Sequence, residues 1–379
     1  MFIHTDKVSL GVDIGGSHIS SALVNTSGQV LERSLQKKKI EAQVKNPKII
    51  IDQWIETIEE SLSFLQGKQL KGIGVAMPGP FDYLDGISLL DGVSKYESLY
   101  GINIRQIISS QLKLSYECPI LFENDAGCFG LGEALAGEGS EYKNVIAITL
   151  GTGFGAAFIE HKKLLKERNG IPGNGYLYNI PFKDGIAEDY ISSRWLLKKY
   201  TALTGIEFSE VKEMATAVTV HKDFNAKKVF EIYGKNIAHC LSPWIKSFKT
   251  DCLVIGGSIC KASGLFLPAL TEELSVTYEI NIPVRISKKM ELSAIAGAAG
   301  LIENIVETKT KKNNGGIEWR KSSQGLMPQN SPAILIDEED YNIFPFHSLD
   351  DGKIFTGYSS LADWITGQKI VAIDGFGGN

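Results

Sequence analysis

Residues 8–24, VSLGVDIGGSHISSALV, contain two apolar segments that meet at Gly15-Gly16. The first segment ends at Asp13, and the second alternates apolar and polar residues as a half-buried strand does. No helical pattern follows the glycines, so this is not the strand, glycine loop and helix of a dinucleotide or P-loop site. We therefore predict a β-hairpin with a glycine turn, and a third strand in residues 29–35, QVLERSL.

The same arrangement occurs again in residues 144–159, NVIAITLGTGFGAAFI. In the first half, a helix that Asn46 caps at its N-terminus and a buried strand at residues 71–76 follow the hairpin. In the second half, helical patterns near residues 186–202 and 227–248 precede an apolar strand that ends in a third glycine turn. This internal duplication predicts an α/β protein with two similar domains.

Glycine turns of this kind can bind phosphate, because a backbone without Cβ atoms approaches an anion closely with its N–H groups. Ser17 and Thr152 would add hydroxyl donors, and Asp13 would hold Mg²⁺ directly or through water. A tight hairpin without a ligand is the alternative for a single turn. The nucleotide-binding residues predicted from the first two turns are Asp13, Gly15, Gly16, Ser17, Gly151, Thr152 and Gly153.

A candidate general base follows the apolar segment 119–122, in the sequence Glu123-Asn124-Asp125. Asp125 would accept a proton from a sugar hydroxyl that attacks a phosphoryl group. Asn124 can donate a hydrogen bond to a sugar hydroxyl and accept one from it. Capping of the next helix is the alternative role for this pair, and the two roles are compatible.

Composition gives no general reason to bind nucleic acid or a membrane, because the net charge is −5 and the pI is about 5.8. The N-terminus lacks the pattern of a secretory signal, and no apolar segment is long enough to span a bilayer. The five cysteines are scattered and odd in number, which favours reduced thiols. We expect a cytoplasmic protein.

Together the motifs resemble the ROK family of sugar kinases and sugar-responsive repressors over about residues 8–308. The matching segments are VDIGGSHISSALV, GIGVAMPGPFD, FENDAGC, AITLGTGFGAAFI and LVIGGSI. The resemblance implies a duplicated actin/hexokinase-like (ribonuclease H-like) fold, with two domains around a cleft, ATP and Mg²⁺ as cofactors, and a homodimer. It also implies that Asp125 is the base and that Asn124, Glu188, Gly79, Pro80 and Asn174 line the sugar site. The segment LVIGGSI resembles the family's adenosine-side turn, which implies that Gly256, Gly257 and Ser258 bind the nucleotide.

The sequence departs from the family pattern in three places. The usual Glu-x-Gly-His segment is absent, because residues 170–178 read GIPGNGYLY. The usual cysteine-rich zinc loop is replaced by residues 179–185, NIPFKDG, so we predict no structural zinc and a loop held by aromatic packing. His18 stands where the family commonly has lysine, and Gly127 where asparagine is common.

These features predict an N-terminal domain at residues 1–125, a larger C-terminal domain at 126–308, and a linker with an accessory extension at 309–379. Residues 309–316 are typical of a flexible linker. Residues 369–379, KIVAIDGFGGN, resemble the start of a P-loop module, although a small segment packed on the kinase core is the simpler interpretation.

Three functions are compatible with these motifs. The first is ATP-dependent phosphorylation of a hexose or amino sugar, and the second is a weakened sugar or nucleotide sensor, which the altered residues 170–178 favour. A sugar-responsive repressor is the third, and it is disfavoured because the first phosphate motif begins by residue 10, leaving no room for a helix-turn-helix.

Overall fold

A computed structural model describes residues 6–92 and 95–312 of the 379-residue chain. The strands of these residues are β1 (Lys7–Ile14), β2 (His18–Asn25), β3 (Gln36–Lys39), β4 (Gln69–Ala76), β5 (Phe81–Asp82), β6 (Ile87–Ser88), β7 (Ile120–Glu123), β8 (Asn144–Leu150), β9 (Phe154–Glu160), β10 (Lys163–Leu165), β11 (Pro181–Phe182), β12 (Gly185–Ile186), β13 (Cys252–Gly256) and β14 (Val284–Ile286). The helices are α1 (Pro47–Leu62), α2 (Ile104–Gln111), α3 (Asp125–Ala136), α4 (Ala187–Tyr190), α5 (Ser193–Thr204), α6 (Val211–Thr219), α7 (Phe224–Phe248), α8 (Ser263–Val276) and α9 (Glu291–Lys312). In this part of the chain, no helix combines the length and apolarity needed to cross a bilayer.

The first large sheet has the strand order β3-β2-β1-β4-β7. Strand β2 is antiparallel to β1 and β3, whereas β4 is parallel to β1 and β7 is parallel to β4. The first glycine turn therefore joins two antiparallel strands, as predicted. Asp13 is in register with Ala76, and Ala76 with Glu123, so the carboxyl ends of β1, β4 and β7 meet at one edge of the sheet.

The second large sheet repeats this topology in the order β10-β9-β8-β13-β14. Strand β9 is antiparallel to β8 and β10, while β13 is parallel to β8 and β14 is parallel to β13. Each half thus consists of a three-stranded antiparallel unit followed by two parallel strands. The duplication predicted from the two glycine hairpins is confirmed.

Helices α3 and α9 cross with their backbones in contact. A Cβ atom on Gly132 would lie 1.8 Å from the Ser293 carbonyl oxygen, and one on Gly297 would lie 1.7 Å from that of Cys128. Helix α9 also packs on the first sheet, where a Cβ on Gly11 would lie 2.0 Å from the Ile295 carbonyl oxygen. Helix α3 begins directly after the first sheet, so this crossing ties the start of the second half to its last helix.

Apolar side chains form a separate core beside each sheet. Trp54 and Ile58 of α1 are buried against Leu10 in the first half, and Phe230 of α7 is buried with Phe158 in the second. Helix α1 begins as predicted, because the Asn46 side chain accepts a hydrogen bond from the Lys48 N–H at 3.0 Å.

The predicted bounds of the third strand, residues 29–35, are wrong, although Val30 pairs with Val24 of β2 in an isolated antiparallel bridge. Residues Glu32–Ser34 form a 3₁₀ turn, and β3 begins only at Gln36. The cause is the Ser34 hydroxyl, which donates to the Leu31 carbonyl at 2.7 Å and accepts from the Leu23 N–H at 2.9 Å. A serine side chain that binds nearby backbone groups competes with the strand ladder in this way.

Helix α9 continues to Lys312, and therefore includes residues 309–312 of the predicted linker. The rest of the predicted linker and accessory extension lies outside the described residues. The division into domains at residues 125 and 308 remains a prediction.

Candidate active site

Asp13 and Asp125 lie close together at the carboxyl edge of the first sheet. Burial, followed by the negative charges of Asp125 and Glu291, raises the pKa of Asp13 to about 7, and the cation Lys37 opposes this rise. A carboxylate is destabilised when it loses water and gains carboxylate neighbours. The edge of the sheet therefore concentrates negative charge and is suited to attract a cation.

Asp125 is accessible to solvent although protein surrounds it. Desolvation raises the pKa of its carboxyl group above the ordinary value, against opposing hydrogen bonds that include one from the Ala126 N–H at 2.9 Å. A group that solvent reaches but protein encloses lies in a recess. A raised pKa brings a carboxylate closer to the working range of a general base at neutral pH.

Asn124 is the N-cap of α3, since its Oδ1 accepts from the Ala126 N–H at 3.0 Å. Its Nδ2 donates to the Tyr83 hydroxyl at 3.4 Å, and Tyr83 in turn donates to the Met77 carbonyl at 3.0 Å. A Cβ on Gly79 would lie 3.3 Å from the Tyr83 hydroxyl oxygen. Tyr83 thus joins Asn124 to the predicted Gly79-Pro80 loop.

Glu123 and Lys166 form an ion pair beside Asp125. Lys166 Nζ lies 2.8 Å from Glu123 Oε2 and 5.4 Å from the centroid of the Tyr83 ring, and Glu123 Oε1 accepts from the Asn124 N–H at 2.9 Å. Burial, followed by the charge of Glu123, raises the pKa of Tyr176 to about 12. This side of the recess is therefore lined by two phenol groups and a paired cation.

At the second glycine turn, the Gly151 N–H donates to the Gly153 carbonyl at 3.1 Å. Glu188 holds the end of this turn, because its Oε2 accepts from the Phe154 N–H at 3.0 Å and its Oε1 lies 2.7 Å from Arg194 Nη2. A Cβ on Gly153 would lie 2.8 Å from Glu188 Oε2. The structure thus places Glu188, predicted as a sugar contact, directly against the second turn.

The third turn lies beside the second. A Cβ on Gly151 would lie 3.6 Å from Ser258 Oγ, and Gly257 has a φ of 93° in contact with the Leu150 backbone. Thr152 is exposed at the tip of the second turn, and Gly256 is the last residue of β13. Five of the predicted nucleotide-binding residues are therefore neighbours: Gly151, Thr152, Gly153, Gly257 and Ser258.

The first turn is a hairpin in which the Gly15 N–H donates to the His18 carbonyl at 2.9 Å. Ser17 is exposed next to it, with its Oγ 3.3 Å from His18 Nδ1. Gly16 lies between them and is partly exposed. Asp13 is only two residues before Gly15, so the first turn and the acidic edge form one local surface.

Glu291, at the start of α9, was missed by the sequence analysis. Burial pushes its pKa up, but hydrogen bonds from Lys37 and Ser20 outweigh this and leave the pKa below the ordinary value. Its carboxylate lies 2.5 Å from Lys37 Nζ and 3.5 Å from His18 Nε2. Glu291 thus pairs with Lys37 beside the first turn although the two residues are 254 positions apart in the sequence, so no local pattern could predict this contact.

The two halves meet where α3 begins. A Cβ on Gly155, near the start of β9, would lie 2.6 Å from the Ala126 Cβ. Asp125 is thereby adjacent to the strand that leaves the second glycine turn. Asn174 is different, because it is exposed in the Gly173–Gly175 turn and its side chain hydrogen-bonds to no other described residue.

The loop that replaces the zinc motif contains the small β11–β12 hairpin. Phe182 is buried there, with its ring centroid 5.5 Å from that of Tyr190 and 5.2 Å from that of His239. The predicted aromatic packing involves Phe182, and also Tyr176 and Tyr178, whose ring centroids lie 5.9 Å apart although Tyr178 is exposed. No group of three or more metal-ligating side chains occurs among residues 6–92 and 95–312, and the lack of a structural zinc remains a prediction.

The duplicated sheets and the glycine turns define an actin/hexokinase-like protein. The model of the ROK family matches residues 9–305, and the chain belongs to this family. Glucokinase of Thermotoga maritima is 24% identical over 321 residues, which cover 78% of this chain and 98% of that protein. The xylose repressor of Caldicellulosiruptor bescii is also 24% identical over 321 residues, with 77% of each chain covered.

A solved structure supports the same fold. The ROK family glucokinase from Streptomyces griseus, in complex with glucose and AMPPNP, has a TM-score of 0.60 and 21% identity, and the match covers 78% of this chain and 99% of that one. Kinases and repressors thus occur among the proteins to which this chain is similar.

Proposed function

We propose that this protein is an ATP-dependent kinase that phosphorylates a hydroxyl group of a hexose or amino sugar, with Asp125 as general base. The observation that carries the proposal is the Asp125 carboxylate, which solvent reaches in an enclosing recess that raises its pKa. A carboxylate that the surrounding protein shields partly from water, next to the Asn124 amide, is suited to accept a proton from an alcohol. A base in this position contributes about 10²–10⁴-fold to the rate.

The glycine turns supply the phosphate side of the proposed reaction. Their backbone N–H groups are suited to bind the β- and γ-phosphates, and the similar glucokinase was solved with the ATP analogue AMPPNP. Phosphoryl transfer depends mainly on positioning and on charge stabilisation. The two glycine turns would position the phosphates, and a Mg²⁺ ion would stabilise their charge.

Asp13 fits a Mg²⁺ ion held directly or through water. Its pKa of about 7 reflects burial beside other carboxylates, and a cation relieves this repulsion. When bound with ATP, Mg²⁺ neutralises charge that develops on the phosphates. The chain's own contribution is the Asp13 carboxylate, which would hold the ion or its water at the end of β1.

A coupled assay of ADP release tests the proposal. The purified protein is incubated with ATP, Mg²⁺ and each member of a panel of hexoses and N-acetylhexosamines. We expect turnover with at least one sugar that exceeds ATP hydrolysis in water alone. The absence of sugar-dependent ADP release from folded protein across the panel would contradict the kinase proposal.

A sensor without phosphoryl transfer is the second candidate. It is favoured by Asn174, whose exposed side chain forms no hydrogen bond with another described residue, and by Leu177, which is fully buried in the altered segment 170–178. The similarity to a repressor is compatible with this alternative. Calorimetry separates the two, since a sensor binds sugar or nucleotide but releases no ADP, and retention of DNA in a gel-shift assay would indicate a repressor.

A further inference from the structure

Lys95 lies against the backbone of the first glycine turn. A Cβ built on Gly16 would be 2.2 Å from Lys95 Nζ and 3.0 Å from both its Cδ and its Cε. The end of the lysine side chain therefore occupies the space that any larger residue at position 16 would need. The absence of a Cβ at Gly16 lets this side chain approach the backbone of the turn.

Tyr96 holds Lys95 at this turn. Its backbone is left-handed, with φ 58° and ψ 18°, which is uncommon for a bulky residue. The Tyr96 hydroxyl donates to the Gly15 carbonyl at 2.5 Å, and its N–H donates to the Ala42 carbonyl at 2.6 Å. The buried ring packs edge-on against Trp54 with centroids 5.4 Å apart. These contacts offset the backbone strain at Tyr96. They also fix the position of the preceding residue, Lys95.

The charge of Lys95 has no protein partner in the part of the chain that the structure describes. No described carboxylate lies within ion-pair distance of its Nζ, and its side chain is exposed. Lys37, another cation beside the turn, is already paired with Glu291. Lys95 is therefore a cation at the first turn that has no carboxylate partner among the described residues.

The first glycine turn has fewer backbone N–H groups available to a ligand than its sequence indicates. The Gly15 N–H is used within the hairpin, where it donates to His18. The N–H groups of Gly16 and Ser17 remain for a ligand, and the acidic Asp13 and Glu291 lie nearby. A polyphosphate at this position therefore needs an additional cation, which a lysine ammonium group supplies.

We propose that Lys95 binds the phosphates of the nucleotide at the first glycine turn, and so determines affinity for a polyphosphate chain rather than for the nucleoside. This proposal rests on the proposed nucleotide site. The ammonium group, the Gly16 and Ser17 N–H groups and the Ser17 hydroxyl together form the donor set. Tyr96 is a positioning residue in this arrangement.

Calorimetric titrations with ATP, adenosine and inorganic tripolyphosphate, each in Mg²⁺ buffer, test this role. The proteins are the wild type, Lys95→Gln, Lys95→Arg and the control Lys7→Gln, which alters an exposed lysine at the opposite end of β1. We expect Lys95→Gln to weaken the binding of ATP and of tripolyphosphate by about tenfold or more, without a change for adenosine. Lys95→Arg should keep most of the affinity, and Lys7→Gln should match the wild type.

Equal affinity of Lys95→Gln and wild type for ATP and tripolyphosphate would overturn the proposal, as would an equal loss for adenosine. A wild type that binds none of the three compounds contradicts both this proposal and the kinase proposal. Tripolyphosphate binding that depends on Lys95, in a protein that phosphorylates no sugar, supports the Lys95 site and contradicts only the kinase proposal.

Discussion

The charge of Asp125, at the start of α3, helps to raise the pKa of Asp13, at the end of β1, to about 7. The two carboxylates belong to the proposed phosphate and acceptor sides of the site, so their interaction joins these sides electrostatically. Their proximity follows from the register of β1, β4 and β7, which brings the carboxyl ends of parallel strands to one edge.

Asp125→Asn should lower sugar-dependent turnover by about 10²–10⁴-fold or more, because the amide cannot accept the proton of the attacking hydroxyl. Affinities for sugar and nucleotide should change little, since the amide retains the shape of the carboxylate. Steady-state kinetics and calorimetry check this together, with the surface variant Asp52→Asn on α1 as control. Turnover within threefold of wild type would remove Asp125 from the role of base.

Asp13→Asn should stabilise the ligand-free protein at pH 8 by about 2–4 kcal/mol. The pKa of Asp13 rises from an ordinary 3.8 to about 7 on folding, so between these values the folded state holds a proton that the unfolded state has released. Stability therefore falls as the pH rises through this window, and the full penalty is present above pH 7. Asparagine carries no charge and avoids this penalty.

Urea denaturation at pH 4 and at pH 8 measures the effect of Asp13→Asn. The stabilisation should be much smaller at pH 4, where Asp13 is largely protonated in the folded state. Asp6→Asn, an exposed substitution before β1, serves as control. Equal effects at both pH values would show that the Asp13 carboxylate is not destabilised as described.

Glu133 of α3 is fully buried and fixes the segment before and within the first turn of α9. It accepts hydrogen bonds from Ser287 Oγ at 2.5 Å, from Ser293 Oγ at 2.6 Å and from the Glu138 N–H at 2.8 Å. Glu133→Ala leaves these donors unsatisfied and should lower the free energy of unfolding by about 3 kcal/mol.

The control for Glu133 is Glu138→Ala, which removes an ion pair with the exposed Lys288 and should cost under about 1 kcal/mol. Urea denaturation compares the two variants with wild type. A loss below 1 kcal/mol for Glu133→Ala would mean that the buried network contributes little to the helix crossing.

Gly297→Ala should destabilise the protein by about 3 kcal/mol or more, because the added methyl group would lie 1.7 Å from the Cys128 carbonyl oxygen. Gly264→Ala on α8 is the matched control, since no heavy atom lies within 4 Å of its added Cβ. That variant should be neutral or stabilised by up to about 1 kcal/mol. Thermal melting of both distinguishes a close helix crossing from a general intolerance of alanine.

The duplicated topology could be predicted from sequence because each half carries a local pattern of apolar strands and glycine turns. The N-cap at Asn46 and the hairpin at Gly15-Gly16 are also local signals. The predicted bounds of the strand at residues 29–35 are wrong because Ser34 binds the backbone of Leu23 and Leu31. A side chain that competes with strand pairing is not visible in the alternation of apolar residues.

The candidate site was predictable only in part. Asp13, Asn124 and Asp125 stand at strand ends, which sequence patterns locate. Glu291 and Lys95 reach the first turn through tertiary packing, and neither lies in a repeated pattern. Tyr83 could not be predicted either, because its contact with Asn124 depends on how the loop after β4 folds back.

The most direct test is a crystal structure with a non-hydrolysable ATP analogue and a sugar from the panel that supports turnover. We expect the analogue's phosphates to contact the backbone N–H groups of both glycine turns. We also expect a sugar hydroxyl about 2.6–3.2 Å from an Asp125 carboxylate oxygen, on the side facing the γ-phosphate. A sugar bound away from Asp125, or phosphates that contact neither turn, would contradict it.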